Sequence, residues 1–229
     1  MTALAERLAA LDARIADAAR AVGRDPGELT RIVVTKFHPA RLIDDLAALG
    51  VHDVGESRQQ ELSAKRAETA GRVHDVRWHF IGQLQTKKAK AVRAASDCVH
   101  SVDRDRVADA LHAADPEGSP LDVFLQVNLT DDPARGGAAP SEVDALATHI
   151  AARCASLRLR GVMAVAPLAA APAEAFERLA GAAATVRRVV PDAAWMSAGM
   201  SGDFAEAIAA GATHLRIGTA ITGPRPDRG

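Results

Sequence analysis

Tyrosine is absent from this 229-residue sequence, so no phenol of the chain can act as an acid or base. Aromatic residues make up only 3%, which leaves a core to be built from aliphatic side chains and alanine. There are two cysteines, Cys98 and Cys154, enough for one disulfide at most and too few for a disulfide framework. Neither has Cys/His ligand spacing around it, and both read as buried small hydrophobes in a reducing compartment. No sign of charge dominates: 28 Lys and Arg face 29 Asp and Glu, a net −1. That balance removes the electrostatic case for nucleic acid or an anionic membrane as partner. No run of about 20 apolar residues occurs, and no basic stretch followed by an apolar one opens the chain. Glu6, Asp12 and Asp17 also oppose a transit peptide. A cytoplasmic location is expected, with no nucleic-acid or membrane partner.

What is present is ordinary for a globular protein: 48% hydrophobic and 25% charged residues. The length fits one domain, residues 1–229, because α/β barrels reach roughly 250 residues as a unit. Leu4, Leu8, Leu11 and Ile15 form one apolar stripe of an N-terminal helix over Thr2–Val22, which Gly23 and Asp25-Pro26-Gly27 end. Eight short β-like runs follow: Arg31–Lys36, His52–Gly55, Trp78–Gly82, Cys98–Val102, Asp122–Asn128, Leu159–Val165, Ala194–Ala198 and His214–Gly218. Amphipathic or Ala-rich segments separate them. Such alternation predicts a parallel sheet in α/β architecture, and eight units favour a closed (β/α)8 barrel. Too little chain follows the last strand for a full helix, so the N-terminal helix is expected to cover that gap.

In barrels of this kind the site lies at the C-terminal ends of the strands. Lys36 closes the first. An amine among apolar walls is disfavoured as a cation, and at its ordinary pKa only roughly one lysine in 2,500 is neutral at pH 7. Imine chemistry needs that neutral form; a lysine snorkelling from a strand edge is the plainer alternative. Ser197, Gly199, Met200 and Ser201 precede a helix starting near Asp203, and Gly218-Thr219 follow the last strand. Glycines, hydroxyls and helix starts suit an anion such as phosphate, although short Ser/Gly turns are common. Arg216 is either a surface ion pair or a guanidinium fixed toward a ligand. Glu56, His79 and Asp103 are strand-end groups capable of acid/base work. None of His38, His52, His74, His100, His112, His149 and His214 pairs with metal-ligand geometry, and no metal is expected.

Together these segments resemble the pyridoxal phosphate homeostasis protein family (the YggS/PROSC group), related to the N-terminal barrel of alanine racemase. The resemblance runs from about Ile32 to Gly223. It rests on Val34-Thr35-Lys36, Gly55-Glu56 with Gln60-Glu61, Trp78-His79-Phe80-Ile81-Gly82 with Leu84-Gln85, and Gln126-Val127-Asn128. It continues in Arg160-Gly161-Val162-Met163, Gly199-Met200-Ser201 and Gly211 through Ile221. It implies pyridoxal 5′-phosphate held as an internal aldimine on Lys36. Phosphate contacts would come from Ser197 or Ser201, from Met200, and from the backbone of Gly218 and Thr219. Arg216 would face the pyridine nitrogen, Met163 and His79 would line the pocket, and Asn128 would sit at its rim. Three positions depart from the family pattern. Ser57 stands where Asn is usual near the cofactor. Lys87 replaces a common Asn. Ala134-Arg135-Gly136-Gly137 replaces the usual Ser-Lys-x-Gly.

A guanidinium, with a pKa above about 12, does not protonate a weakly basic ring nitrogen. A cofactor facing one is therefore a poor electron sink. Racemisation needs a second acid/base on the far face of the substrate, which in alanine racemase is a Tyr from a second domain. The expected function is thus to hold pyridoxal phosphate and supply or buffer it, with apo enzymes as acceptors and a monomeric chain. Two alternatives are a weak fold-type III amino-acid racemase using another acid/base such as His79, and an aldolase-type barrel using Lys36 without a cofactor.

Overall fold

A computed structural model describes residues 2–130, 132–168 and 170–224. Eight strands occur in chain order: β1 Thr30–Val34, β2 Asp53–Glu56, β3 Arg77–Phe80, β4 Cys98–Val102, β5 Leu121–Gln126, β6 Leu157–Met163, β7 Trp195–Ser197 and β8 His214–Ile217. Each is parallel to its neighbours, and β8 pairs with β1 to close the barrel. The helices are α1 Ala3–Ala21, α2 Arg41–Ala48, α3 Gln59–Thr69, α4 Ala89–Ala95, α5 Asp105–Ala114, α6 Val143–Arg153, α7 Pro172–Val189, α8 Phe204–Ala209 and α9 Thr219–Thr222. The predicted strands are all found. Their ends differ by up to two residues, because the apolar pattern runs past the last ladder bond into the loops.

Apolar packing divides into an annulus and an interior. Val33, Val54, Val99, Val123, Val162 and Leu215 face outward from the strands and meet helix residues such as Ile43, Leu62 and Leu111. Full burial of such a side chain stabilises by about 1.5–3 kcal/mol. Inside the barrel, Cys98, Phe124 and Met163 form a second cluster against Trp195. Both cysteines are free and buried, as expected.

The helix after β8 has only four residues, and α1 makes up the deficit by packing against α8 and α9. Leu8, Leu11, Ile15 and Ala19 are its buried stripe. Arg7 Nε donates to the Ile221 carbonyl at 2.7 Å, tying α1 to α9. Arg24 donates to the carbonyls of Ile208 and Ala212 at 2.9 and 2.7 Å, which caps the end of α8.

Glycine is required where the mouth is tightest. A Cβ on Gly82 would lie 1.9 Å from the Ser57 carbonyl oxygen, a backbone atom that cannot move aside alone. Gly181, in the middle of α7, has nothing within 4 Å of the same construction. Gly82→Ala is therefore expected to destabilise by about 3 kcal/mol. Gly181→Ala should stabilise by about 0.5–1 kcal/mol through its helix propensity. Denaturant melts of the two variants check both signs, and a neutral Gly82→Ala would refute the close approach.

Candidate functional site at the barrel mouth

Lys36 lies two residues beyond the end of β1, in a turn, and is half-buried. The expectation of a lysine closing the strand itself is thus corrected. The turn is held by groups on either side of Lys36. Thr35 Oγ1 donates to Glu56 Oε1 at 2.7 Å, and Lys65 Nζ donates to the Thr35 carbonyl at 2.9 Å. The Phe37 N–H donates to Glu61 Oε2 at 2.9 Å, with Phe37 at a φ of 71°. A bulky residue in that region costs of order 1–3 kcal/mol and persists only where its surroundings over-determine it.

Lys65 is the residue that sequence reasoning missed. It is buried, bonds Glu56 Oε1 at 2.6 Å and lies 3.9 Å from Glu61. Burial pushes the Glu56 carboxyl above its usual range even though Lys65 and Thr35 both donate to it, and Glu56 Oε2 has no partner. The two carboxylates that brace the turn, Glu56 and Glu61, are thus engaged by Lys65, Thr35 and the Phe37 amide. Among the described residues Lys36 has no carboxylate partner; its Nζ lies 5.9 Å from the Phe37 ring centroid. The signal was in Glu56 and Glu61, whose spacing puts Lys65 one helical turn beyond Glu61 on the same face of α3.

Arg216 ends up buried among polar atoms. Its NH1 donates to Ser197 Oγ at 2.7 Å and its NH2 to the Ala164 carbonyl at 2.8 Å. Burial lowers its pKa to about 10, so it remains a cation at neutral pH. Beyond Ser197 a chain of contacts crosses the interior. Ser197 Oγ lies 2.9 Å from His100 Nδ1, and His100 Nε2 lies 2.9 Å from His79 Nδ1. His79 Nε2 then lies 2.8 Å from Asp53 Oδ1.

With both rings neutral, one assignment satisfies every group. Arg216 donates to Ser197, Ser197 to His100, His100 to His79, and His79 to the Asp53 carboxylate. Burial, then the charges of His79 and Arg216, hold His100 far below its ordinary pKa. Burial alone would raise Asp53, but the hydrogen bond from His79 and the nearby Arg77 keep it low. His100 stacks on Phe124 at 4.3 Å, and His214 meets Phe124 edge-on at 5.3 Å.

These contacts place several of the expected site residues. His79, expected to line the pocket, is fully buried, and both ring nitrogens are used inside the barrel. Ser197 is also fully buried, with its hydroxyl spent on Arg216 and His100, so Ser201 is the serine that remains for an anion. The Met200 N–H is taken by Asp203 Oδ1 at 2.6 Å, which caps the approach to α8. Asn128 accepts from Thr130 and donates to the Asp132 carbonyl, bracing the loop after β5. Met163 is buried at the end of β6, within the interior cluster.

Ser57, Ser201 and Gly218 are partly exposed just beyond β2, β7 and β8, and Thr219 is exposed at the start of α9. Neither the Ser201 nor the Thr219 hydroxyl bonds within the described chain. Gly199 takes a φ of 90°, and a Cβ there would come within 2.8 Å of Ala207. Two free hydroxyls, a glycine turn and the unpaired first N–H groups of α9 make a donor set for an anion between adjacent strand ends.

The most voluminous described cleft, about 610 Å³, is at the opposite end of the barrel, around Arg77, Asp97 and Asp122. Its arginines are already committed: Arg77 to Asp122 at 3.0 Å, and Arg93 to the carbonyls of Leu111, Ser119 and Ser156. We read it as structural.

Such a barrel, with a lysine after β1 and an arginine in β8, is of the alanine racemase N-terminal kind; the sequence profile of that domain matches residues 7–226. The pyridoxal phosphate homeostasis protein of Mycobacterium tuberculosis (strain H37Rv) is 39% identical over 240 residues, covering 97% of this chain and 93% of that protein. PipY of Synechococcus elongatus PCC7942, solved with pyridoxal phosphate bound, is 34% identical with a TM-score of 0.83, covering 96% of this chain and all of that one. Alanine racemase of Corynebacterium glutamicum shares the fold at 14% identity and a TM-score of 0.71; the match covers 97% of this chain and 63% of the racemase. The chain belongs to the pyridoxal phosphate homeostasis protein family.

His214 is buried, and burial first, then the charge of His79, pushes its pKa down to about 3. His100 is shifted the same way. Both rings are neutral when folded and ordinary when unfolded, so between pH 6.5 and about 3 the unfolded state binds more protons. Stability is full above pH 6.5 and falls as pH drops, by up to about 1.4 kcal/mol per pH unit for each ring. Urea melts between pH 7 and 4.5 should show this slope, shallower in His214→Gln. A flat wild-type profile would contradict the buried neutral pair.

Proposed function

We propose that this chain binds pyridoxal 5′-phosphate through Lys36 at the barrel mouth, and buffers it or supplies it to apo enzymes in the cytoplasm without robust catalysis of its own. The observation that carries this reading is the environment of Lys36: a primary amine at the mouth, in a braced turn, with the neighbouring carboxylates taken up elsewhere.

The residues present fit the group. Ser201, Thr219 and the backbone of Gly218 would hold the phosphate, and Arg216, a donor at every position, would hold the ring nitrogen. Ser57 would border the same opening. When bound, the cofactor supplies an aldehyde that condenses reversibly with amines. The chain's own contribution is to orient and shield. Lys65 and Glu56 fix the backbone beside Lys36, while Ser197 and the Ala164 carbonyl hold the guanidinium still.

A donor-only arginine leaves the ring nitrogen unprotonated, which disfavours carbanion chemistry. The chain also has no tyrosine to act on the far face. Both points favour a holder over a racemase. The relatives' shared name supports the same reading. We take residues 1–229 as one functional unit acting as a monomer.

Borohydride added to protein mixed with pyridoxal phosphate should fix one cofactor per chain, on the peptide containing Lys36, as read by mass. Lys36→Ala should abolish this, and Lys65→Met should weaken binding roughly tenfold. Label scattered over surface lysines would overturn the site. Amino-acid α-proton exchange in heavy water at enzyme-like rates would overturn the holder.

A further inference from the structure

A second cluster of coordinating side chains lies on the outer face of the barrel, between α5 and α6. His149 Nε2 lies 2.7 Å from Asp109 Oδ1, and Cys154 Sγ lies 3.7 Å from the same oxygen. The three ligand atoms all fall within 4.8 Å of one another. Asp105 Oδ2 approaches the other ring nitrogen, His149 Nδ1, at 3.7 Å. The positions come from the first turn and middle of α5, the middle of α6, and the residue that ends α6. Spacings of 40 and 5 residues match no linear metal motif, so the cluster is visible only in the fold.

We propose that Cys154, His149 and Asp109 form a binding site for one zinc-class divalent cation, with water as the fourth ligand. Three features support it. First, the donor set is mixed sulfur, nitrogen and oxygen, which zinc takes in tetrahedral geometry. Bond lengths of about 2.0–2.3 Å place tetrahedral donors roughly 3.3–3.6 Å apart. The sulfur–oxygen separation already matches; the nitrogen and oxygen need to part by only about 0.6 Å, within reach of rotamer adjustment. Second, Asp105 stands where a carboxylate would fix the ligating tautomer of His149 and raise its basicity. Third, charge balances within the donor set: Asp109 and a Cys154 thiolate neutralise a divalent ion, and a ligating His149 is neutral.

The access is right as well. Asp109 is about half exposed (55%), His149 is at 23%, and Cys154 is buried beneath them. An ion can therefore enter from solvent and keep a water, while the sulfur is shielded. Coordination replaces the thiol proton by the metal, and that proton leaves to water; no oxidation change is involved. Sitting between two outer helices, the site would clamp α5 to α6 without touching Lys36.

The test uses the full chain, stripped with chelator and kept reduced with a phosphine. Addition of Co²⁺ should give one equivalent of a tetrahedral complex with a thiolate-to-cobalt absorption band in the near ultraviolet, which Zn²⁺ then removes. Cys154→Ser and His149→Ala should abolish the band, while Asp105→Asn should weaken binding by about 10–100-fold. Cys98→Ser, whose sulfur is inside the barrel, should retain it. Thermal melts of the variants with no metal added report whether each one folds. No thiolate band in the wild type, or a band that survives Cys154→Ser in folded protein, would overturn the site.

Discussion

The barrel is organised around a buried polar chain running from Arg216 through Ser197, His100 and His79 to Asp53. A cation removed from water is costly unless its hydrogen bonds are replaced and its charge is answered. Arg216 has no direct carboxylate partner among the described residues; Asp203 is the carboxylate whose charge acts on it, while Asp53 ends a chain of groups that each donate to the next. Removing any link strands two buried polar groups, at about 1–3 kcal/mol each and more where one is charged. The chain therefore constrains five strands at once, since its members come from β2, β3, β4, β7 and the closing strand β8. It also explains why the interior is aromatic and histidine-rich instead of aliphatic: rings stack flat beside Phe124 and still offer two polar edges.

At the mouth a second buried pair does the complementary task. Lys65 and Glu56 form an ion pair shielded from water, and such pairs contribute little net stability because desolvation offsets attraction. Their value here is geometric and electrostatic. Lys65 occupies Glu56 and approaches Glu61, Glu61 accepts from Phe37, and the turn carrying Lys36 is tethered on both sides. The same contacts keep these carboxylates from pairing with the Lys36 amine. One lysine is spent so that another remains available for chemistry.

Much of this was legible in the sequence. Alternating apolar runs carried all eight strands, because a parallel strand buried on both faces has little freedom in composition. The short chain behind β8 already implied that α1 must cover it. What could not be read was side-chain direction. His79, Ser197 and Met163 sit at or near strand ends by number, and their full burial does not follow from that. Whether a strand-end side chain turns inward or toward the mouth depends on strand stagger, and pairing registers such as Gly55 with His79 are set only by closure. Lys65 was overlooked for the converse reason: on a helix its burial follows from an acidic partner on a neighbouring strand, not from its own apolar pattern.

The division between interior and mouth bears on the proposed role of this racemase-like barrel as a holder. In this fold the groups that fix a cofactor lie on strands and their first turns, held by the closed ladder, whereas groups acting on a substrate's far face must come from elsewhere. This chain keeps the first set intact: a tethered lysine, an immobilised arginine, and hydroxyls at two adjacent strand ends. Three of its histidines, at positions 79, 100 and 214, are turned away from the opening, where burial keeps the latter two neutral; His38, two residues after Lys36, stays partly exposed in the mouth turn. A base that cannot reach the mouth cannot move a substrate proton there. Stability of the barrel thus draws on the histidines of the interior network, which are unavailable at the site above it.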